Sequence, residues 1–402
     1  MTDTPPDTPA GPEPGQRLQT RAVRGGRGHS GDALAPALWA SSAFVSPSVD
    51  EARRRATSTG AARFYGRYGN PTVADFESAV ADLEGAEAGR AFASGMGAIS
   101  GVVLGICSTG DHIVTQRQLY GGTQLLFTAV CPRFGIDVTF VEGTDPDEWD
   151  AAVRPGKTVL CFAETPANPR LDLVDLDRLG AIAGPVTVVD STIATPLGQR
   201  PLEHGVDLVV HSATKALAGH NDATLGIACG SQELIDWIWG FSVLQGATAS
   251  PFDALNGLRG LRTLAVRLRQ QTETAQRLAE TLEHHPAIEC VCYPGLDTFP
   301  QAELARRQLD VAGGLLTFDV RGGLEGGRRF VEATRIAQLA TSLGGPETLV
   351  THPASTTHVG LLPEELAAAE IGPGTIRLSV GLEHPDDVVA DVLAALDISA
   401  GG

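Results

Sequence analysis

The sequence predicts an α/β fold in which a parallel or mostly parallel sheet is flanked by helices. Short runs rich in β-branched residues alternate with helical stretches through the middle of the chain, and a long helical pattern at residues 253–284 leads to a second strand-rich segment from Ile288. Strand–helix–strand alternation is typical of parallel sheets, because each crossover needs a helix-length connection. We therefore expect a large and a smaller domain with a boundary near the long helix. The predicted strands of the large domain are 112–115, 136–141, 158–163, 186–189, 207–210 and 225–229.

A tail and a helix precede these strands. Residues 1–30 are rich in Pro, Gly, Thr and Arg and contain little to bury, so we expect a disordered tail. Apolar residues between Val73 and Gly85 recur at helical spacing. Thr72, followed three residues later by Asp75, predicts a capping box at the start of this helix.

The composition disfavours several classes of function. A formal net charge of −18 and a pI near 4.9 argue against a nucleic-acid or anionic-membrane partner, since either needs a basic face. The six cysteines include no Cys-x-x-Cys pair, which is typical of free thiols in a reducing cytoplasm, and no metal site is expected. No apolar run approaches the roughly 20 residues of a spanning helix, and residues 1–15 lack a signal-peptide pattern. We expect a cytoplasmic protein that acts on a small molecule.

Lys215 is the most informative residue, because the chain has only one other lysine, Lys157, among 30 Lys and Arg residues. An amine, unlike a guanidinium, can lose its proton in a partly buried site and condense with an aldehyde to form a Schiff base. Asp190 ends the apolar strand 186–189, where its carboxylate can pair with a protonated pyridine nitrogen. An acid at a strand end is by itself more often a turn residue. Together, however, Asp190 and Lys215 predict a pyridoxal phosphate site.

Two strings are candidates for binding the cofactor's phosphate. Gly95 and Met96 lie where the string 93–99 enters a predicted helix, and the free N–H groups of a helix start can bind an anion. Taken alone, such a Gly-rich string is more often only a turn. Ser212 and Thr214 alternate just before the lysine, so their hydroxyls can share one face and donate to the same phosphate.

Tyr120 and Arg377 supply the remaining parts of such a site. Tyr120 follows a predicted strand and precedes a helix, where its ring could stack on the cofactor; a core position is the alternative. Arg377 lies in a predicted strand and shares a face with Thr375 and Ser379. A guanidinium among apolar neighbours needs an anionic partner, which is either the α-carboxylate of a substrate or an internal salt bridge.

Several strings together resemble the cysteine and methionine metabolism (trans-sulfuration) family of pyridoxal phosphate enzymes. This family includes cystathionine γ-synthase, cystathionine γ-lyase, methionine γ-lyase and the homoserine-ester sulfhydrylases. The resemblance runs from about Thr20 to Leu396. The matching strings are residues 65–72, 93–96, 164–169, 211–215, 342–345, 352–358 and 377–383.

The resemblance implies fold type I, with a large domain around a mostly parallel seven-stranded sheet and a smaller C-terminal α+β domain. It implies an N-terminal arm at 31–64 that contacts a neighbouring subunit, a cofactor domain at 65–255 and a C-terminal domain at 256–402. It also implies a homotetramer built from two active dimers.

The resemblance also assigns roles to site residues. Tyr65 and Arg67 would reach the phosphate in the neighbouring subunit, while Gly95 and Met96 would bind phosphate through their backbone. Asn168 would bond the phenolic oxygen of the cofactor. Ser342 would assist Arg377 in binding the substrate.

The activity implied is γ-elimination or γ-replacement on an amino acid with a leaving group at Cγ, such as a homoserine ester, cystathionine or methionine. Lys215 would remove the α-proton and return it elsewhere, and Tyr120 would serve as acid or base for the leaving group. A vinylglycine-type intermediate would then be attacked by a thiol or collapse to an α-keto acid and ammonia. The alternatives are a β-lyase or an aminotransferase on the same fold, or a cofactor-binding protein without turnover.

The chain departs from the family pattern near the substrate. Methionine γ-lyases carry a cysteine at the position of Gly122, and members that handle cystathionine usually have a glutamate at that of Thr341. Bulky or polar residues of the family are also replaced by smaller or less polar ones. These further departures are Ser191, Ile193, Leu197 and Ala216. We interpret them as a sign of an altered γ-substituent or nucleophile.

Overall fold

A computed structural model describes residues 15–58, 60–356, 366 and 370–400. The strands are β1 Ala88–Phe92, β2 His112–Gln116, β3 Asp137–Val141, β4 Thr158–Glu164, β5 Val186–Asp190, β6 Leu208–His211, β7 Gly226–Gly230, β8 Ile288–Cys292, β9 Leu315–Val320, β10 Gln338–Leu339, β11 Leu349–Thr351 and β12 Thr375–Ser379. The helices are α1 Leu18–Arg24, α2 Val49–Ala56, α3 Pro71–Glu84, α4 Gly95–Ile106, α5 Gly121–Leu125, α6 Pro146–Ala152, α7 Leu176–Gly180, α8 Thr195–Gly198, α9 Gln232–Gln245, α10 Pro251–Leu261, α11 Leu264–Glu283, α12 Ala302–Gln308, α13 Gly323–Ala333 and α14 Pro385–Ala400.

The larger sheet has seven strands in the order β1-β7-β6-β5-β4-β2-β3. Strands β2 to β6 are parallel, and β7 runs antiparallel to both of its neighbours. The predicted mostly parallel sheet of seven strands is thus confirmed. Because the order reverses direction between β2 and β4, the carboxyl ends of the strands at this point open into a crevice where ligands of such sheets bind.

Helices cover both faces of this sheet, as expected for parallel strands with crossover helices. One face packs against α3, α10 and the start of α11, through Phe76, Leu258 and Leu264 among other side chains. The opposite face packs against α4 and α9. The inner strands β2 and β4 to β7 are almost entirely buried, which explains why they read as continuous apolar runs rather than alternating ones.

The start of α3 differs from the predicted capping box. The N-cap is Asn70, whose side chain accepts the N–H of Thr72 at 2.9 Å. The Thr72 hydroxyl instead donates to the carbonyl of Ala37 and accepts the N–H of Trp39. Asp75 pairs with His29. Thr72 and Asp75 therefore tie the N-terminal segment to α3, and Pro71 occupies the first helical turn, where its missing N–H costs nothing.

Order begins earlier in the N-terminal segment than we expected. Residues 18–24 form α1, in which Ala22 is buried and Arg21 pairs with Asp82 of α3 at 2.9 Å. The tail predicted for residues 1–30 is therefore wrong from residue 18 onward, because even a short helix can bury one apolar face on α3. Residues 1–14 of that predicted tail lie outside the described residues. Within the described residues, no helix has the length and apolar character needed to cross a bilayer.

The C-terminal part contains a second sheet in the order β10-β11-β12-β9-β8, packed with α13, α14 and the second half of α11. The long helix predicted at 253–284 is two helices, because the N–H of Thr263 bonds to the carbonyl of Gly260 and so ends the ladder of α10. Leu268 of α11 lies in the core beside the large sheet, whereas Leu278 lies in the core of the second sheet. Helix α11 thus carries the chain from one core to the other.

Candidate active site

A cavity of about 560 Å³ lies at the carboxyl ends of β4 and β5 and is closed on one side by β12 and the loop that carries Ser342. All the predicted site residues line this cavity except Tyr65 and Arg67. The lining set among them is Gly95, Met96, Tyr120, Asn168, Asp190, Ser212, Thr214, Lys215, Ser342 and Arg377. Both cores therefore contribute side chains to one cavity.

Lys215 follows β6 in a tight turn, in which its N–H bonds to the carbonyl of Ser212 at 3.0 Å. Its Nζ donates to Oγ of Ser342 at 2.9 Å. Burial, and secondarily the charge of Arg377, lower the pKa of the Lys215 amine from 10.5 to about 8. The backbone of Ser342 lies in the left-handed region with φ of 91°, an uncommon conformation for a residue other than glycine. The contact thus fixes a partly neutral amine in the cavity.

Asp190 ends β5, and its side chain is nearly inaccessible to solvent. Burial raises the pKa of this carboxyl, while the N–H and O–H groups of Thr192, which both donate to Oδ1, act in the opposite direction, as does His211. The N–H of Ser212 donates to the hydroxyl of Thr192 at 2.7 Å, which links Asp190 to the segment before Lys215. A cation beside Asp190 would favour its ionised form.

The N-terminus of α4 lines the cavity. The hydroxyl of Ser94 caps the helix by accepting the N–H of Gly97 at 3.0 Å. Gly95 and Met96 occupy the first two helical positions, whose N–H groups have no acceptor within the helix. A Cβ on Gly95 would lie 2.6 Å from Cβ and 2.9 Å from Cα of Ser212. Only glycine therefore allows this approach of the helix to the loop before Lys215.

The hydroxyls of Ser212 and Thr214 do not play equal parts. Both residues line the cavity. The hydroxyl of Thr214, however, donates to the carbonyl of Leu225 at 3.1 Å and accepts the N–H of the same residue at 2.8 Å. Donation from Thr214 to a phosphate would require this bond to break, whereas Ser212 has no such commitment among the described contacts.

Arg377 lies in β12 and is almost fully buried. Its guanidinium donates to Oδ1 of Asn168 and to the carbonyl of Ser342, both at 3.0 Å. In the described part of the chain it forms no ion pair with a carboxylate, so the salt-bridge alternative is not observed. Burial lowers the pKa of Arg377 to about 10, and its Nε is buried without a partner. A buried cation held only by neutral acceptors suits an anionic ligand.

Glu164 is a buried residue that lines the cavity, although the sequence did not reveal a role for it. Its Oε2 accepts the N–H of Tyr120 at 2.7 Å, and its Oε1 accepts the N–H of Asn168 at 2.9 Å. Burial, and then the charge of Asp190, raise the pKa of Glu164 to about 8. The signal that could have revealed this carboxylate is its place at the end of β4, opposite Asp190 in the register of β5.

Tyr120 follows β2 and precedes α5, as predicted, and about half of its surface is exposed. Tyr65 and Arg67 lie away from the cavity of their own chain. Arg67 donates to the carbonyl of Val243 at 2.8 Å and stacks over the ring of Tyr68. Their role at a neighbouring subunit stays a prediction.

The departures noted in the sequence fall into two groups. Gly122, Ile193 and Thr341 line the cavity. The others are buried and do not line it, namely Ser191, Leu197 and Ala216. In the string 352–358, residues 357 and 358 lie outside the described residues.

The described residues fit a pyridoxal phosphate. The cavity joins a lysine amine with a lowered pKa, a buried carboxylate, a helix start that only glycine allows and a guanidinium without a carboxylate partner. These groups are the ones that an aldehyde, a pyridine nitrogen, a phosphate and an amino-acid carboxylate require.

Comparisons with known proteins agree with this geometry. Residues 19–397 match a family model described as "Cys/Met metabolism PLP-dependent enzyme". The chain is 43% identical to an L-methionine gamma-lyase of Porphyromonas gingivalis over 385 residues, covering 94% of this chain and 96% of that protein. It is 42% identical to an O-succinylhomoserine sulfhydrylase of Pseudomonas aeruginosa over 390 residues, covering 95% and 96%.

A solved structure shows the same fold. A cystathionine gamma synthase from Xanthomonas oryzae pv. oryzae, in complex with cystathionine, superposes with a TM-score of 0.90 at 37% identity. The match covers 96% of this chain and 99% of that one.

Proposed function

The chain belongs to the Cys/Met metabolism PLP-dependent enzymes, and on that premise we propose that its cavity carries out γ-elimination or γ-replacement on a γ-substituted amino acid. The fold is the type I fold of pyridoxal phosphate enzymes, and its cofactor is pyridoxal 5'-phosphate. The observation that carries the proposal is the amine of Lys215, which is partly buried with a lowered pKa in the same cavity as Asp190 and Arg377.

Besides Lys215, several residues of this cavity would help to hold the cofactor. When bound, the cofactor supplies an aldehyde and a conjugated ring that can store an electron pair. Asp190 would hold a proton at the pyridine nitrogen, and Tyr120 would lie against the ring. Gly95 and Met96 would bind the phosphate through backbone N–H groups, supported by the hydroxyl of Ser212.

The substrate would be held and deprotonated by side chains of the same cavity. Arg377 would bind the α-carboxylate, because its guanidinium is oriented by Asn168 and Ser342 and pairs with no carboxylate among the described residues. Lys215 would take the α-proton, since a pKa of about 8 leaves part of its amine neutral near neutral pH. Tyr120, exposed at the mouth of the cavity, would exchange a proton with the leaving group.

Thr214 would add little to phosphate binding, because its hydroxyl is engaged with Leu225. Asn168 would contact the cofactor's phenolic oxygen only through its amide NH₂, since its Oδ1 accepts from Arg377. The hypothesis of an altered γ-substituent or nucleophile now rests on Gly122, Ile193 and Thr341, because these are the departures from the family pattern that line the cavity.

We further propose a homotetramer of two active dimers, in which Tyr65 and Arg67 complete the site of the adjacent subunit. In support, Val45 and Val49 in the predicted arm at 31–64 are almost fully exposed, as expected of side chains that another subunit would cover. The proposed cofactor domain at 65–255 holds the larger sheet, and the C-terminal domain at 256–402 holds the smaller one. We place the enzyme in the cytoplasm because its cysteines are free.

The substrate is tested by incubating the enzyme with O-acetylhomoserine, O-succinylhomoserine, cystathionine, methionine and γ-halogenated amino acids, each with and without a thiol. Products are identified by mass spectrometry. A four-carbon α-keto acid with ammonia, or a new thioether when thiol is present, is the expected result. Pyruvate would indicate a β-lyase, a stable pyridoxamine absorbance would indicate an aminotransferase, and no spectral change with any compound would indicate a protein without turnover.

A further inference from the structure

Glu164 is hydrogen-bonded directly to two residues that line the cavity, and through them to other lining residues. Its two carboxylate oxygens accept from the backbone of Tyr120 and of Asn168. The side chain of Asn168 accepts from Arg377 at 3.0 Å, and Arg377 donates to the carbonyl of Ser342 at 3.0 Å. An unbroken path of contacts therefore runs from Tyr120 through Glu164 and Arg377 toward the lysine.

The last step of this path reaches Lys215, because the hydroxyl of Ser342 accepts from Nζ at 2.9 Å. The two ends of the path belong to different parts of the fold. Tyr120 and Lys215 come from loops of the large sheet, whereas Ser342 and Arg377 come from the second sheet. Within this path, Glu164 is the residue whose side chain binds two backbone N–H groups, those of Tyr120 and Asn168. Its position therefore determines where these two backbone segments lie.

The backbone of Glu164 is itself held firmly. Gln116 at the end of β2 accepts the N–H of Glu164 at 3.0 Å and donates to its carbonyl at 2.9 Å. The same amide donates to the carbonyl of Gln118 at 2.8 Å, which fixes the start of the loop that carries Tyr120. The carboxylate thus projects from a rigid strand end toward the two loops that carry Tyr120 and Asn168.

We propose that Glu164 is a positioning residue, which holds the backbone of Tyr120 and Asn168 so that the ring-stacking tyrosine and the orientation of Arg377 are set together. This inference rests on the proposed function, since it concerns the same cavity. Glu164 acts through its neighbours and is assigned no proton transfer.

The first test replaces Glu164 with glutamine. An amide has one acceptor oxygen, so in either orientation its NH₂ group faces an N–H donor, and either Tyr120 or Asn168 loses its partner. We expect E164Q to lose the cofactor from the loaded enzyme about tenfold faster and to raise KM for the amino acid about tenfold, with a smaller change in kcat. The visible circular dichroism band of the bound cofactor should also change, because it reports how the ring is held.

A second variant separates the effect of side-chain length at position 164 from the effect of the negative charge. E164D keeps the carboxylate but is one methylene shorter, so it can satisfy only one of the two N–H groups. We expect E164D to show the same changes in cofactor loss, KM and circular dichroism as E164Q. If E164Q does not fold, E164D alone can be compared with the wild type. Wild-type values in E164D would show that charge alone matters, and the positioning role would be wrong.

The matched control is E77Q. Glu77 is also a buried carboxylate that accepts a backbone N–H, that of Ala91 at 2.8 Å, but it lies outside the cavity. E77Q should lower Tm without changing the dichroism band or KM. The proposal is overturned if both Glu164 variants keep cofactor loss, dichroism and KM within about twofold of wild type while losing only Tm, as E77Q does. A wild-type protein that binds no pyridoxal phosphate would instead contradict the proposed function itself.

Discussion

The chemistry assigned to Lys215 depends on an amine held away from water. Burial is the main cause of its lowered pKa, and the nearby charge of Arg377 acts in the same direction. The contact with Ser342 keeps the amine in place without adding an opposite charge. The result is a nucleophile that is partly neutral near neutral pH, which an exposed lysine is not.

This difference predicts a distinct pH dependence of labelling by an amine-reactive acylating reagent. Because only the neutral amine reacts, labelling of Lys215 in protein stripped of cofactor should rise with pH through a midpoint of about 8. Lys157 is exposed and provides an internal reference in the same sample. Peptide mass spectrometry at each pH measures both sites. A Lys215 midpoint at 10 or above would contradict the account.

Gly95 gives a second prediction at the scale of one residue. In G95A the new Cβ would meet the backbone of Ser212 at 2.9 Å, which no change of side-chain rotamer can relieve. We expect about 1–3 kcal/mol lower stability and weaker cofactor binding, measured by chemical denaturation and by titration. G240A is the control, because Gly240 lies on the exposed side of helix α9 and its Cβ would have no neighbour within 4 Å. G240A should leave the stability unchanged or raise it by up to about 1 kcal/mol. An equal loss of stability in G95A and G240A would refute the steric argument.

Individual residues were predictable where the chemistry requires a particular side chain. Lys215, Asp190 and Arg377 stood out because an amine, an acid and a guanidinium in apolar strings need a reason. Glu164 did not, because its role depends on bonds to residues whose nearness appears only in the fold. Thr192 was missed for the same reason, since its contact with Asp190 looks in the sequence like an ordinary turn.

At the scale of elements, Arg267 near the start of α11 connects three segments. It is buried, and its guanidinium donates to the carbonyl of Ala216 at 2.9 Å, to that of Gly260 at 2.8 Å and to the hydroxyl of Thr263 at 3.1 Å. Ala216 directly follows Lys215, so this contact ties the lysine turn to the end of α10. Burial without a carboxylate lowers the pKa of Arg267 to about 10.

Replacing Arg267 by leucine should therefore destabilise the protein. The two carbonyls lose their donors inside the core, and we expect the free energy of unfolding to fall by about 2–4 kcal/mol. R269L removes an exposed arginine two positions along the same helix and should change it by no more than about 0.5 kcal/mol. Urea unfolding measures both variants. If R267L and R269L have equal free energies of unfolding, Arg267 does not stabilise the turn that carries Lys215.

Elements were predictable where local pattern and fold agree. Strands β2 to β6 were found because Val, Ile and Thr are concentrated in them, whereas β7, with Ile227 as its one β-branched residue, was found as a short apolar run. Strand β1 was missed because Ala88–Phe92 contains no β-branched residue and owes its conformation to pairing with β7. The break between α10 and α11 was missed because the contacts that accompany it involve Arg267 and the lysine turn, which no helical periodicity can indicate.

At the scale of the whole molecule, the cavity requires both sheets. Lys215 and Asp190 come from the large sheet, and Arg377 comes from the second sheet, with α11 shared between the two cores. The proposed assembly adds a third contributor, because Tyr65 and Arg67 lie away from the cavity of their own chain. The complete site would then exist only in the oligomer.

Mixing two inactive variants tests this sharing between subunits. K215A lacks the amine and R67A lacks the phosphate contact, so neither homo-oligomer should be active. If Arg67 acts across the interface, unfolding and refolding an equal mixture should restore about a quarter of the sites, because half of the dimers are hybrids and each has one intact site. If both residues serve the cavity of their own chain, the mixture should stay inactive.

The most direct measurement is borohydride reduction of the enzyme loaded with pyridoxal phosphate, which converts a lysine-bound aldehyde into a stable secondary amine. Peptide mapping then locates the label. We predict that the phosphopyridoxyl group is found on Lys215 and not on Lys157. Absence of the label, or its presence only on Lys157 or on the N-terminal amine, would contradict the account.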